Sequence, residues 1–247
     1  VGLKIYLRIT SIGAEASMKD TIIIYFMGMD GSGKSTLSSY LCGELKRRGH
    51  HVRRVWWLEG EYSLQRKLFR VIGGSNLLRF DVSPEHAGIG AQREQGPLMT
   101  KIFSEVWPRL VLINYVIFGI RRVWIPKKTA KERIMIFDRY IYDVVFSLCQ
   151  EFGYPETKKV SLLRRYAKLL PIPDKILLIE VPPDIAFLRK KEEITSAENA
   201  KALWENYQEL FGLVDHVFPG KCTIIDNTRD VEIVKKEILE QVISFVQ

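Results

Sequence analysis

The sequence predicts an α/β protein of three layers, a five-stranded parallel sheet with helices on both faces. Three observations carry that prediction. Short β-branched and aromatic runs alternate with amphipathic helical patterns along the chain. The strand runs are apolar at successive residues, as strands buried on both faces are. Finally, 247 residues, 47% of them hydrophobic and 27% charged, suffice for one large domain with a substantial core. That balance excludes a chain that is mainly disordered, fibrous or low in complexity.

Met18 stands just ahead of Lys19, Asp20 and the first strand, so residues 1–17 read as an extension and residues 18–247 as a single domain. The first strand, Thr21–Met27 (TIIIYFM), runs into a glycine-rich turn. In the helix Lys34–Arg48, Leu37, Tyr40, Leu41 and Leu45 recur at three- and four-residue spacing, and Gly49 supplies the stop. Val52–Trp57 is the second strand. Gly60–Phe80 is part helix, and Asp81–Pro97 is a Gly- and Pro-containing polar loop of a length that usually carries function.

A helical pattern spans Leu98–Trp124. Its most apolar part, Leu110–Ile120 between Arg109 and Arg121, is too short for the roughly 20 residues a membrane span needs. It reads as a buried helix. Strands follow at Arg133–Phe137, Lys175–Val181 and Cys222–Asp226. Helices follow at Ile141–Glu151, Lys158–Leu170, Asp184–Lys191, Ser196–Phe211 and Asp230–Val246. The last places Val231, Val234, Ile238, Val242 and Phe245 on one stripe.

Cys42, Cys149 and Cys222 form no CxxC pair and read as reduced packing residues. Val1–Ser17 lacks an apolar export signal, so the expected location is cytoplasmic, away from membranes. The histidines His50, His51, His86 and His216 have no metal-ligand spacing. The 37 Lys and Arg against 29 Asp and Glu leave a net charge of +8, which favours a phosphorylated or polyanionic partner. Nucleic acid is disfavoured, because there is no basic tail and no aromatic RNA-binding motif.

The chemistry concentrates in Gly28-Met29-Asp30-Gly31-Ser32-Gly33-Lys34-Ser35-Thr36, which fits G-x-x-x-x-G-K-[ST] with a strand before it and a helix after it. Gly28, Gly31 and Gly33 let backbone N–H groups converge with a helix N-terminus on one anion. Lys34 would reach the β- and γ-phosphates of a bound nucleotide, and the Ser35 hydroxyl would ligate Mg²⁺. Such a loop needs an acid at the end of a neighbouring strand, and Asp138 follows the apolar run Ile134–Phe137. Arg139 stands beside it, at the sheet edge where open α/β folds bind ligands.

The loop GMDGSGKST, the triplet Asp138-Arg139-Tyr140 and the segment Ile179–Lys191 (IEVPPDIAFLRKK) together resemble the thymidylate kinase family, from about Thr21 to the C-terminus. That resemblance implies a P-loop fold with a short helical lid at about residues 187–196, and a homodimer with Leu110–Ile120 at its interface, although core burial explains that helix too. It implies that Asp30 bonds the acceptor's sugar hydroxyl and that Arg139 binds the acceptor's phosphate. It further implies that Arg189, Lys190 and Lys191 close over ATP, with Gly31 standing where one subgroup keeps a P-loop arginine. Backbone groups at Asp226-Asn227-Thr228 would contact adenine, although an Asn-containing turn explains them equally. Thr195 and Glu198 can form a capping box.

The chain departs from the family in Trp56-Trp57-Leu58-Glu59-Gly60 after the second strand, and in Asp143, Ser147 and Leu148 after the triplet. Both regions contact the acceptor in relatives, which makes Asp143 a substrate-binding candidate. Arg109 either replaces a substrate-reading arginine or snorkels at a helix surface. The function implied is ATP- and Mg²⁺-dependent phosphoryl transfer to a nucleoside monophosphate, foremost dTMP to dTDP. Two alternatives stay open. One is a kinase for a nucleoside or other small hydroxyl acceptor, with Asp30, Glu59 or Glu61 taking the proton. The other is a nucleic-acid-associated P-loop ATPase, against which Arg139 stands where a water-activating acid would be.

Overall fold

The computed structural model describes residues 21–56, 109, 112–113, 115–125, 133–192 and 194–246. Five strands, β1 (Ile22–Met27), β2 (Val52–Trp56), β3 (Ile134–Asp138), β4 (Lys175–Glu180) and β5 (Cys222–Asp226), form one parallel sheet in the order β2-β3-β1-β4-β5. The chain leaves β1 to build β2 and β3 on one side, then crosses to build β4 and β5 on the other. The reversal therefore falls at β1, and the crevice it opens lies at that strand's carboxyl end, where the glycine-rich turn begins.

Side chains alternate across the pleat. Along β1, Ile23, Tyr25 and Met27 enter one core, while Ile24 and Phe26 enter the other. The first core is closed by α2 (Ile141–Glu151), α3 (Glu156–Ala167) and α5 (Ala197–Val217); the second by α1 (Lys34–Arg47) and α6 (Val231–Val246). Burial on both faces is why β1 reads as an unbroken apolar run. The short helix α4 (Pro183–Arg189) follows β4 and packs against α5. No helix among the described residues is long and apolar enough to cross a membrane.

Several boundaries differ from the sequence reading for identifiable reasons. The third strand extends through Asp138, because that residue pairs with Phe26 on β1 and Trp56 on β2. Helix α5 continues past Phe211 to Val217: Gly212 has open space beside it, and Leu210, Leu213 and Val214 keep the buried stripe going. Its cap is Ser196, whose hydroxyl accepts from the Asn199 N–H at 3.1 Å, rather than Thr195. Helix α3 starts earlier, at Glu156 after Pro155, and ends at Ala167. On α6 the buried residues are Val234, Ile238, Leu239 and Val242, while Val231 and Phe245 at the ends of the expected stripe are exposed.

Within the long pattern expected over Leu98–Trp124, residues 115–125 are helical and contain one π-helical turn, Ile120–Trp124. Leu112, Tyr115, Phe118 and Val123 are buried, whereas Ile113 and Ile117 are exposed. The cysteines Cys42, Cys149 and Cys222 are free. The extension over residues 1–17, the segments Gly60–Phe80 and Asp81–Pro97, and Trp57, Glu59, Glu61 and His86 lie outside the described residues.

Candidate functional site

The loop after β1 takes its shape from glycines with positive φ. Gly31 has φ +81°, and a Cβ there would stand 2.6 Å from the Ala186 carbonyl oxygen of α4. Gly33 has φ +91°, and a Cβ there would stand 2.4 Å from the Asn227 side-chain nitrogen. Both angles lie in the left-handed region where side chains are strained. The chain then enters α1, whose first intrahelical bond runs from the Leu37 N–H to the Gly33 carbonyl at 3.0 Å. The amides of Lys34, Ser35 and Thr36 precede that bond, so the positive end of the helix opens into the curl of the loop. Thr36 itself is exposed.

Asn227, just past β5, braces the loop from the far side of β4. Its amide nitrogen donates to the Ser32 carbonyl at 2.7 Å, and its backbone N–H donates to Glu180 at 2.9 Å. The side chain is thus committed to the loop itself. Asp226 turns the other way, its Oδ1 accepting from the backbone and hydroxyl of Thr228 at 2.9 and 2.7 Å, as in a turn.

Ser35, in the first turn of α1, donates to Asp138 Oδ2 at 2.6 Å. This bond joins the loop to the end of β3 and puts a hydroxyl and a carboxylate together. It is a pair of hard oxygen donors suited to a cation that also takes water and phosphate oxygens. No group of three or more His, Cys, Asp and Glu residues gathers among the described residues, this site included. Arg54 on β2 adds a clamp on the same turn, donating to the Ser35 carbonyl at 3.0 Å and to the Ser39 hydroxyl.

Lys34 is buried, with Nζ donating to the Met29 carbonyl at 2.8 Å and to Asp30 Oδ1 at 3.3 Å. Burial lowers its pKa and the nearby Arg139 charge lowers it further, while Asp30 and Asp138 act to retain the proton. Arg139 is 4% exposed and is the one non-glycine residue with positive φ among the described residues, at +70°. Its backbone N–H donates to Phe26 at 3.3 Å, and its guanidinium donates to Asp30 Oδ1 at 2.9 Å and to the Tyr207 hydroxyl at 2.5 Å. A strained backbone held by such partners is typical of functional positions.

Asp30 Oδ1 therefore accepts from both cations. Burial works to raise the Asp30 pKa, but the charges and hydrogen bonds of Lys34 and Arg139 outweigh it and hold the carboxyl below its ordinary value. One acid on the loop thus links the loop's lysine to the arginine that follows β3.

The lid expectation falls on α4 and the turn after it. Arg189 at the end of α4 donates to the Gly31 carbonyl at 3.4 Å and to the Asn227 carbonyl at 3.3 Å, which sets its guanidinium over the loop. Lys190 follows as the exposed C-cap.

Of the two remaining substrate candidates, one is buried and the other exposed. Asp143 is 1% exposed, and its Oδ2 accepts from the Tyr25 hydroxyl at 2.6 Å and from the Tyr140 N–H at 2.7 Å, capping α2. Burial raises its pKa despite the Arg139 charge. It is held against the start of its own helix, because position three of a helix places an acid back over its own cap. Arg109 is exposed, and its charge reaches Tyr166 near the end of α3, so it is not gathered with Asp30, Lys34 and Arg139.

Tyr207, Tyr25 and Arg54 escaped the sequence reading. Tyr207 shares the buried stripe of α5 with Ala200, Leu203 and Leu210, and nothing in that spacing separates it from them. Tyr25 is likewise hidden in the apolar run of β1.

No family model matches the chain. A stretch of 78 residues is 33% identical to a probable thymidylate kinase of Methanosarcina mazei, covering 31% of this chain and 37% of that protein. The chain thus spans little more than a third of that relative in the match. A longer alignment, 225 residues at 26% identity, covers 89% of this chain and 97% of a thymidylate kinase of Fervidobacterium nodosum. Over most of its length, the chain resembles a thymidylate kinase.

Proposed function

We propose that the protein transfers a phosphoryl group from ATP to a nucleoside monophosphate, with dTMP as the foremost acceptor. The observation that carries this reading is the bond of Ser35 to Asp138 at the mouth of a glycine-rich loop, with Arg139 one residue further on. The similarity to two proteins named thymidylate kinase, or probable thymidylate kinase, supports the choice of acceptor.

In this reading the loop amides and Lys34 hold the donor's phosphates. Ser35 and Asp138 hold Mg²⁺, which supplies neutralising charge when bound. Gly28, Asp30, Gly31, Ser32, Gly33 and Thr36 shape or line the donor cradle, and Asn227 keeps it in register. Arg139 takes the acceptor's phosphate in a charge-assisted contact and aligns it with the donor. Asp30 releases its hold on the two cations as phosphates replace it, and then accepts from the acceptor's sugar hydroxyl. Arg189, assisted by Lys190, stabilises the charge that spreads over the equatorial oxygens in the transition state. No protein nucleophile is required. The catalytic unit corresponds to residues 18–247 and works in the cytoplasm, with a homodimer as its assembly.

An ADP-release screen with ATP and Mg²⁺ tests this directly, using nucleoside monophosphates and the matching bare nucleosides. The reading expects turnover of monophosphates, dTMP best, with nucleosides slow. Nucleosides turned over as fast as their monophosphates would overturn it, and dTMP inert beside another active monophosphate would remove only the base assignment.

A further inference from the structure

We infer that Tyr207 is a positioning residue for the acceptor's phosphate, acting through Arg139. The inference rests on the kinase reading above and deepens it. An arginine carries five donors on a long, rotamer-rich side chain, so an unheld guanidinium must be ordered at the moment of binding. Here that ordering is done in advance from three elements. The backbone of Arg139 is tied to Phe26 on β1, one terminal nitrogen to Asp30 on the loop, and the other to the Tyr207 hydroxyl on α5.

The Tyr207 contact differs from the Asp30 contact in what happens when substrates arrive. Asp30 is shared with Lys34 and gives up its cations to phosphates, whereas Tyr207 is 3% exposed, uncharged and fixed in the core. It is the partner that can stay in place. Burial holds the phenol's pKa well above its ordinary value, so the group remains a neutral hydroxyl beside the guanidinium.

Helix α5 also starts where the lid ends, at the Ser196 cap, and packs against α4, which carries Arg189 to the Gly31 carbonyl. One helix thus sets the aim of the acceptor's arginine and backs the helix bearing the lid's arginine.

The test is a double-mutant cycle on the full chain with Tyr207→Phe and Arg139→Ala, reading KM and kcat for each substrate and the calorimetric affinity for dTMP. Tyr207→Phe keeps the ring in the core and removes only the hydroxyl. It should raise the KM and the dissociation constant for dTMP about tenfold, the scale of one lost contact to a charged group. The KM for ATP should stay within about twofold. In the Arg139→Ala background the same change should have no further effect on dTMP affinity, because the group through which Tyr207 acts is gone.

Unchanged dTMP affinity in Tyr207→Phe, or an equal loss with and without Arg139, would overturn the inference while leaving the kinase reading intact. Wild-type protein that binds and phosphorylates no nucleoside monophosphate would overturn both.

Discussion

Replacing Gly31 by alanine separates two costs that the structure predicts should add. The first is conformational: at φ +81° an L-residue sits in the left-handed region, at about 1–2 kcal/mol. The second is steric, since the new methyl would meet the Ala186 carbonyl oxygen at 2.6 Å and the Ala186 Cα at 3.0 Å. These are backbone atoms that cannot rotate aside, so α4 must shift, at about 1–3 kcal/mol for an overpacked contact.

Gly49 is the matched control. Its φ is +86° and nothing lies within 4 Å of its added methyl, so Gly49→Ala bears the first cost alone. For a chain of this size 1 kcal/mol moves Tm by about 2–4 °C, which predicts a loss of about 2–8 °C for Gly49→Ala and about 4–20 °C for Gly31→Ala. Thermal melts of both variants with the wild type measure the difference. Turnover adds a second readout, because displacing α4 draws Arg189 away from the Gly31 carbonyl, and kcat should fall at least tenfold in Gly31→Ala and stay near wild type in Gly49→Ala. Equal Tm losses in the two variants, with wild-type turnover in both, would refute the packing of α4 on the loop and with it the place given to Arg189.

Lys34→Ala should lower kcat by about 10²–10³-fold, the scale of one removed transition-state donor, with a cooperative melt retained. Asp138→Asn should raise the Mg²⁺ concentration for half-maximal activity by about 10–100-fold, so a magnesium titration that matches wild type would count against the Ser35–Asp138 site. Arg139→Ala should raise the KM for the monophosphate and lower kcat together, with the KM for ATP changing little. Asp30 gives a pH signature: its folded-state pKa is depressed, so its contribution to stability is present above the unfolded value near pH 4 and is lost as pH falls through the lower folded value. Acid melts of Asp30→Asn should therefore lose less stability than wild type below about pH 4; parallel curves would contradict the shift.

The sheet, the loop and most helices were legible in the sequence because each rests on a local pattern. β1 declares itself by six apolar residues in succession, and α2 spans the residues its periodicity marks. The pairing of Ser35 with Asp138 was legible too, since the loop motif demands an acid at a strand end and only one acid follows the third strand directly. What stayed hidden depends on contacts between distant residues. An acid three positions after Tyr140 looks like a crevice residue until Tyr25, 118 residues away, is seen to donate to it. Tyr207 has the spacing of a core residue and becomes informative only when Arg139 lies against its hydroxyl, 68 residues earlier in the chain. Gly212 reads as a helix end, because sequence alone does not reveal that its side of α5 faces open space.

The brace from Asn227 to Ser32 joins residues 195 apart, and β1 is flanked on its second side only by β4. The loop after β1 is therefore completed only after β5 has been made. A nascent chain halted before β4 leaves a hydrogen-bonding edge of β1 open, and one halted before Asn227 lacks the amide that closes the loop around its own carbonyl. Synthesis at about 5–20 residues per second keeps that apolar strand waiting for many seconds, so closure of the loop should appear abruptly once the segment through Asn227 has emerged, instead of growing with length.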